Sequence, residues 1–238
     1  MASTGSKVEK YRSLLGAEDV KDVQWRFGAP PNFDVVNKLF EEGRTKIWPA
    51  GSLEEKVQNL VKTWEMEIFH KTRLEDFKTL DPKKFTLSLN GRKGATMEEI
   101  GKLGGGYNAM LQTKLPENYQ CYNPTEESAD SSHIVFTTAF PRGFALEILQ
   151  VYSGPPVIVY KFRHWGYMEG PFKGHAPTGE MTEFYGIAIF ALDEDSKIVK
   201  VEFFYDRGEL LGGLMKGGTT DNSTSEMSTG CPVLKSTG

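Results

Sequence analysis

His164 is the residue whose setting most suggests chemistry. In the run Val157 to Trp165, VIVYKFRHW, strand alternation puts Ile158, Tyr160, Phe162 and His164 on one face and Val159, Lys161, Arg163 and Trp165 on the other. The first row is apolar until its end, so an imidazole closes an aromatic stripe. Such a ring has two readings: a core side chain held by hydrogen bonds, or a group that accepts and returns a proton near neutral pH. In the second reading His164 is the catalytic candidate, and a phenol, Tyr160 or Tyr205, donates a hydrogen bond to an enolate-like oxygen.

Other chemistry finds less support. His70, His133 and His175 are far apart along the chain, with no second His or Glu at metal-ligand spacing. Cys121 and Cys231 give neither a disulfide framework nor a cysteine metal site. No metal and no cofactor are expected. The run Gly101-Lys102-Leu103-Gly104-Gly105-Gly106-Tyr107 lacks the Gly-Lys-Ser/Thr ending of a phosphate loop and reads as a helix stop. A Gly-x-Ser-x-Gly nucleophile elbow is absent. Glu202 reads as a solvated charge on a strand whose other face carries Val199, Val201, Phe203 and Tyr205.

The elements that must position these residues are legible in part. Ser52-Leu53-Glu54-Glu55 is a capping box, and Leu53, Val57, Leu60, Val61, Trp64 and Ile68 recur at helical spacing, which predicts an amphipathic helix over 53–71. Phe85 to Leu89 alternates like a strand, and Thr96-Met97-Glu98-Glu99 opens a second helix. From Phe144 onward two hairpins, turning at Ser153-Gly154-Pro155-Pro156 and Asp193-Glu194-Asp195-Ser196, predict a four-stranded antiparallel meander. Both faces of the strand after Pro177-Thr178-Gly179 are largely apolar, so both are expected to be covered. Helices first and strands after argue an α+β fold with helices on one face of a curved sheet.

The whole chain sets bounds on function. Its 238 residues suit one sizeable domain. The aromatic content of 12% suits an aromatic core or a lined cavity. A net charge of −4, with Lys and Arg scattered, leaves no basic patch for nucleic acid. Neither an apolar leader nor an 18-residue apolar window is visible, so a cytoplasmic protein that is not an integral membrane protein is expected. Residues 1–50 read as an N-terminal extension docked through Trp25, Phe27, Phe33, Phe40 and Trp48. Residues 51–214 read as the domain, and residues 215–238 as a disordered tail too poor in apolar side chains to order itself.

The spacing Gly166, Gly170-Pro171-Phe172-Lys173-Gly174, Pro177-Thr178-Gly179, Gly186-Ile187-Ala188-Ile189-Phe190, Lys197-Ile198-Val199 and Asp206 resembles the SnoaL-like polyketide cyclases of the nuclear transport factor 2-like superfamily. With the segment QWRFGAPPNFDVVNKLF included, the whole chain resembles the plant pathogen-related proteins. The resemblance implies a cone: a curved antiparallel sheet wrapped over helices, an apolar pocket at the wide end, and a homodimer through the outer sheet face. It also implies a working carboxylate three residues before Asp206, where this chain has Phe203. The expected pocket wall is Trp64, Tyr160, Phe162, His164, Phe184, Phe203 and Tyr205. Three functions follow as expectations. The first is a protein of plant defence or specialised metabolism that holds a hydrophobic terpenoid, polyketide or phenolic, with a membrane-bound oxidase as a possible pathway partner. The second is a cofactor-free isomerase, cyclase or dehydratase, and the third a protein–protein adaptor.

Overall fold

The computed structural model describes residues 9–219. In chain order they form α1 (Asp34–Gly43), α2 (Leu53–His70), β1 (Thr86–Leu89), β2 (Ala95–Thr96), α3 (Met97–Lys102), α4 (Gly106–Met110), α5 (Ala129–Ala139), β3 (Ala145–Ser153), β4 (Val157–Tyr167), β5 (Met181–Leu192), β6 (Ile198–Tyr205) and α6 (Arg207–Leu214). The six strands make one curved sheet in the order β2-β1-β6-β5-β4-β3. The meander β3 to β6 is antiparallel, as the hairpin turns require. The sheet as a whole is mixed, because β1 runs parallel to β6, pairing Thr86 with Lys200 and Leu89 with Phe203. A parallel pair needs a long crossover, and here it takes in everything from β2 to β5: the segment carrying α3, α4 and α5 leads to β3 at the opposite edge, and the meander returns strand by strand to β6.

Of the two predicted capping boxes, the one at Thr96 closes, whereas at Ser52 only the N-cap half forms and the Glu55 carboxylate accepts from Gly51 N at 2.6 Å instead. Ser52 Oγ accepts from Glu55 N at 3.2 Å, and Thr96 and Glu99 cap each other reciprocally at the start of α3. Helix α2 is enclosed beyond its apolar stripe, burying Gln58, Lys62, Thr63 and Glu67 along with Val57, Val61, Trp64 and Ile68. Two helices lack a clear pattern in sequence. Helix α5 is rich in Ser, Thr and β-branched residues and forms behind a Ser128 cap. Helix α6 carries three glycines, yet it buries Leu210, Leu211 and Leu214. Its first turn is capped by Asp206, whose Oδ1 accepts from Gly208 N at 2.7 Å.

The N-terminal segment is fastened at several points. Arg26 N donates to His70 O at 2.8 Å, and Trp25 bridges Lys71. Further on, Trp48 Nε1 donates to Ile148 O at 2.9 Å on the edge strand. The backbone N–H groups of Thr45 and Lys46 donate to the buried Glu147 carboxylate, each at 2.5 Å. Tyr11, Leu39 and Phe40 make a second small core against Ala145 and Trp165. Arg163 and Trp165, on the row opposite His164, are therefore buried. Further along the outer face the cover ends: Val157, Tyr185 and Phe204 are 45%, 46% and 39% exposed. Within the single chain, the strand expected to be covered on both faces is covered on the inner face only. Of the expected tail, residues 220–238, with Cys231, lie outside the described residues.

Candidate functional site

The inner row of β4 is as the alternation predicts. Ile158, Tyr160 and Phe162 are fully buried, and His164 follows with 15% of its side chain exposed. Gly186 lies across from Phe162 in the β4–β5 register. A Cβ there would sit 2.4 Å from the Phe162 ring, so glycine is what lets that ring lie against β5. Trp64, from α2, completes a closed circuit of rings. Tyr160 meets Phe190 at 5.4 Å, Phe190 meets Trp64 at 5.2 Å, Trp64 meets Phe203 at 5.9 Å, Phe203 meets Phe162 at 5.8 Å, and Phe162 meets Tyr160 at 6.2 Å between centroids. Phe203, where the resemblance implied a carboxylate, is thus one wall of an aromatic cluster.

His164 sits beside this circuit and is held by three rings and one acid. Its plane stacks on Phe144 (5.5 Å, 8°) and on its cross-strand neighbour Phe184 (5.3 Å, 20°), and meets Phe162 edge to face at 5.6 Å. Its Nε2 lies 3.3 Å from Oε1 of Glu65, which is 23% exposed. Glu65 escaped the sequence reading because it sits at the margin of the α2 stripe, four residues after Val61 and three before Ile68. A carboxylate beside Trp64 at that margin was the available clue.

Three polar atoms of this region are buried with no hydrogen-bond partner: His164 Nδ1, Tyr160 Oη and Trp64 Nε1. Burial pushes the Tyr160 phenol well above its ordinary range, with the Glu65 charge adding to the effect, so the hydroxyl keeps its proton. Tyr205 differs. Its hydroxyl donates to Met110 O at 2.8 Å, so of the two phenols considered as donors to a guest only Tyr160 is uncommitted. The seven wall residues are thus brought together and pack on one another. Surface grooves of about 780 and 610 Å³ lie elsewhere, along Glu9–Glu42 with Arg142 and along Gly101–Glu127.

Two histidines that are distant in sequence meet. His70 and His133 lie 5.9 Å apart between ring centroids, with Phe27 of the extension stacked on His133 at 4.2 Å. Burial pushes His70 down to about 4, and His133 is lowered for the same reason. His70 Nδ1 is 3.0 Å from Met66 O. Among the described residues no group of three or more His, Cys, Asp or Glu could hold a metal, and no helix is long and apolar enough to cross a membrane. The glycine run ends α3 with positive φ at Gly104 and Gly105.

No family model matches the chain. A pathogen-related protein of Hordeum vulgare is 53% identical to it over 237 residues, covering 99% of both chains. The chain belongs to the pathogen-related protein family. The match runs through nearly the full length, so it takes in the segment before α2 as well as the sheet and its helices. Solved structures to which it is similar include a SnoaL-like polyketide cyclase from Jannaschia, with 15% identity over 59% of this chain and 76% of that one and a TM-score of 0.35. Another is a nuclear transport factor 2-like protein from Burkholderia thailandensis, with 12% identity over 58% and 80% of the two chains and a TM-score of 0.33.

Proposed function

We propose that this pathogen-related protein holds a hydrophobic plant metabolite, a terpenoid, polyketide or phenolic of defence metabolism, against the aromatic circuit. The supporting observation is the solvent-reached pair His164–Glu65 at the edge of an otherwise apolar aromatic cluster. Flat rings offer stacking surface, and one polar end orients the guest. Phe144 is only partly buried and stacks on His164, so it is the ring that swings aside to admit a guest. The exposed apolar residues Val157, Tyr185 and Phe204 on the outer sheet face suit a second copy of the chain, and handover to a membrane-bound oxidase suits a carrier in the cytoplasm. Quenching of tryptophan fluorescence by a panel of terpenoids, polyketides and phenolics should report saturable binding. No binding across the panel, together with unchanged defence metabolites in a deletion line, would sink the proposal.

Glu65 favours a second reading, a cofactor-free isomerase, cyclase or dehydratase. A carboxylate that orients an imidazole and stabilises its cation makes His164 a competent proton carrier. In that case His164→Phe abolishes turnover while hydrophobic compounds still bind, and unchanged turnover in the variant removes the role.

A further inference from the structure

The unpartnered atoms at the wall specify a ligand chemistry, on the premise that the wall is a binding site. Six buried side-chain polar atoms of the described residues lack partners, and three belong to the wall. The others are Trp25 Nε1, Asn59 Oδ1 and Glu147 Oε2; the last lies 3.8 Å from the Arg163 guanidinium. The three wall atoms differ in what they can do. Glu65 can only accept, so the proton of a neutral His164 ring resides on Nε2, and Nδ1 presents a lone pair. Trp64 Nε1 can only donate. Tyr160 Oη can donate, and burial keeps its proton in place. Tyr160 and His164 stand on the same face of β4 with Phe162 between them, about 13 Å apart along the backbone. Tyr160 and Trp64 both contact Phe190.

We infer that the guest is a flat, hydroxylated aromatic carbonyl compound, a phenolic ketone or quinone-like frame. Its hydroxyl donates to His164 Nδ1, and its carbonyl oxygen accepts from Trp64 Nε1 and Tyr160 Oη. A hydrocarbon of the same shape leaves all three atoms unpaired, and each unpaired buried group weakens binding relative to a matched guest. A charged acid is disfavoured, because Glu65 stands beside the imidazole and would repel it.

The test is a matched series titrated against full-length protein at pH 7, where the hydroxyl of the first probe is mostly protonated, by tryptophan quenching: 7-hydroxyflavone, 7-methoxyflavone, flavone and 2-phenylnaphthalene. The expected result is that 7-hydroxyflavone binds about tenfold more tightly than its methyl ether or flavone, the worth of one hydrogen bond to a buried partner. Flavone in turn should bind more tightly than 2-phenylnaphthalene. His164→Phe should erase the hydroxyl preference, and Tyr160→Phe should weaken the carbonyl preference. His164→Asn, which keeps an acceptor near the Nδ1 position, should restore part of the hydroxyl preference in a chain shown by its melting curve to be folded. Equal affinity for all four probes overturns the donor–acceptor inference but leaves hydrophobic binding standing. Failure of all four to bind removes the binding site itself. Preferences that persist in both folded variants overturn the assignment to these atoms.

Discussion

Two glutamates stand two residues apart on α2 and have opposite fates. Glu67 is fully buried and saturated: Oε1 takes Lys71 Nζ at 2.7 Å and Lys78 N at 2.8 Å, and Oε2 takes Thr79 N at 2.9 Å and Thr79 Oγ1 at 2.5 Å. Lys71 Nζ also donates to Asp76 O at 2.8 Å, so its charge is paired and hydrogen-bonded. Glu65 remains partly open to solvent and has one partner, an imidazole whose other nitrogen has none. A saturated buried acid ties loops to a helix and has nothing left to offer. An undersaturated one beside aromatic rings keeps bonding capacity for something else. The difference separates architecture from site along less than one helical turn.

The comparison breaks first, and most visibly, at Glu67. Glu67→Ala strands the Lys71 ammonium in the interior and should cost about 3–5 kcal/mol of stability. Chemical denaturation measures it, and a wild-type midpoint would show that the cluster does not hold the fold.

Acid should come next, acting three residues further along the helix. The His70 pKa is lowered from 6.5 to about 4 in the folded chain, so the unfolded chain binds the proton more readily between those values. Stability is then complete above about pH 6.5 and declines as pH falls toward 4, by on the order of 3 kcal/mol at most. Among the described residues no acid forms an ion pair with either ring to offset this. The charges facing the two imidazoles are Arg12 and Arg26, which disfavour protonation, and the more distant Asp130, which favours it for His133. Urea midpoints at pH 7 and pH 4.5 should diverge in the wild type and converge in His70→Phe.

Smaller effects distinguish paired from orphaned phenols. Tyr122 Oη donates to Asn108 Oδ1 at 2.6 Å, so Tyr122→Phe should cost about 1–2 kcal/mol. Tyr160→Phe removes a hydroxyl with no partner and should leave stability unchanged or raise it by up to about 1 kcal/mol. Parallel melting curves of the two variants check the sign. The smallest expected effect is Glu65→Gln, within about 1 kcal/mol of wild type for a partly exposed pair. A loss as large as that of Glu67→Ala would make Glu65 architecture too.

What could be read from the sequence follows from how local each feature is. The row Tyr160, Phe162, His164 needed only the two-residue period of a strand, and α2 only its cap and stripe. Helices α5 and α6 stayed hidden because their stability comes from burial of Phe136, Ala139, Leu210 and Leu214, while their own residues favour helix weakly. The His164–Glu65 pair depends on which helix crosses β4, and the His70–His133 meeting on how α2 and α5 pack, information that no single window carries. The parallel placement of β1 was hidden for the same reason: four residues, TLSL, say nothing about direction.

That parallel strand also sets an order of events during synthesis. Asn90, at the end of β1, exchanges hydrogen bonds with Tyr205 across 115 residues, and among the described residues β1 pairs only with the two-residue β2 and with β6. Leu87 and Leu89 must therefore wait, uncovered, until nearly the whole chain has left the ribosome. Contacts of such long range close slowly, and in the interval the emerging segment presents a sticky strand with one edge unpaired to its surroundings. A nascent chain arrested before residue 198 should bind holding chaperones, and one arrested with β6 and α6 fully emerged should release them.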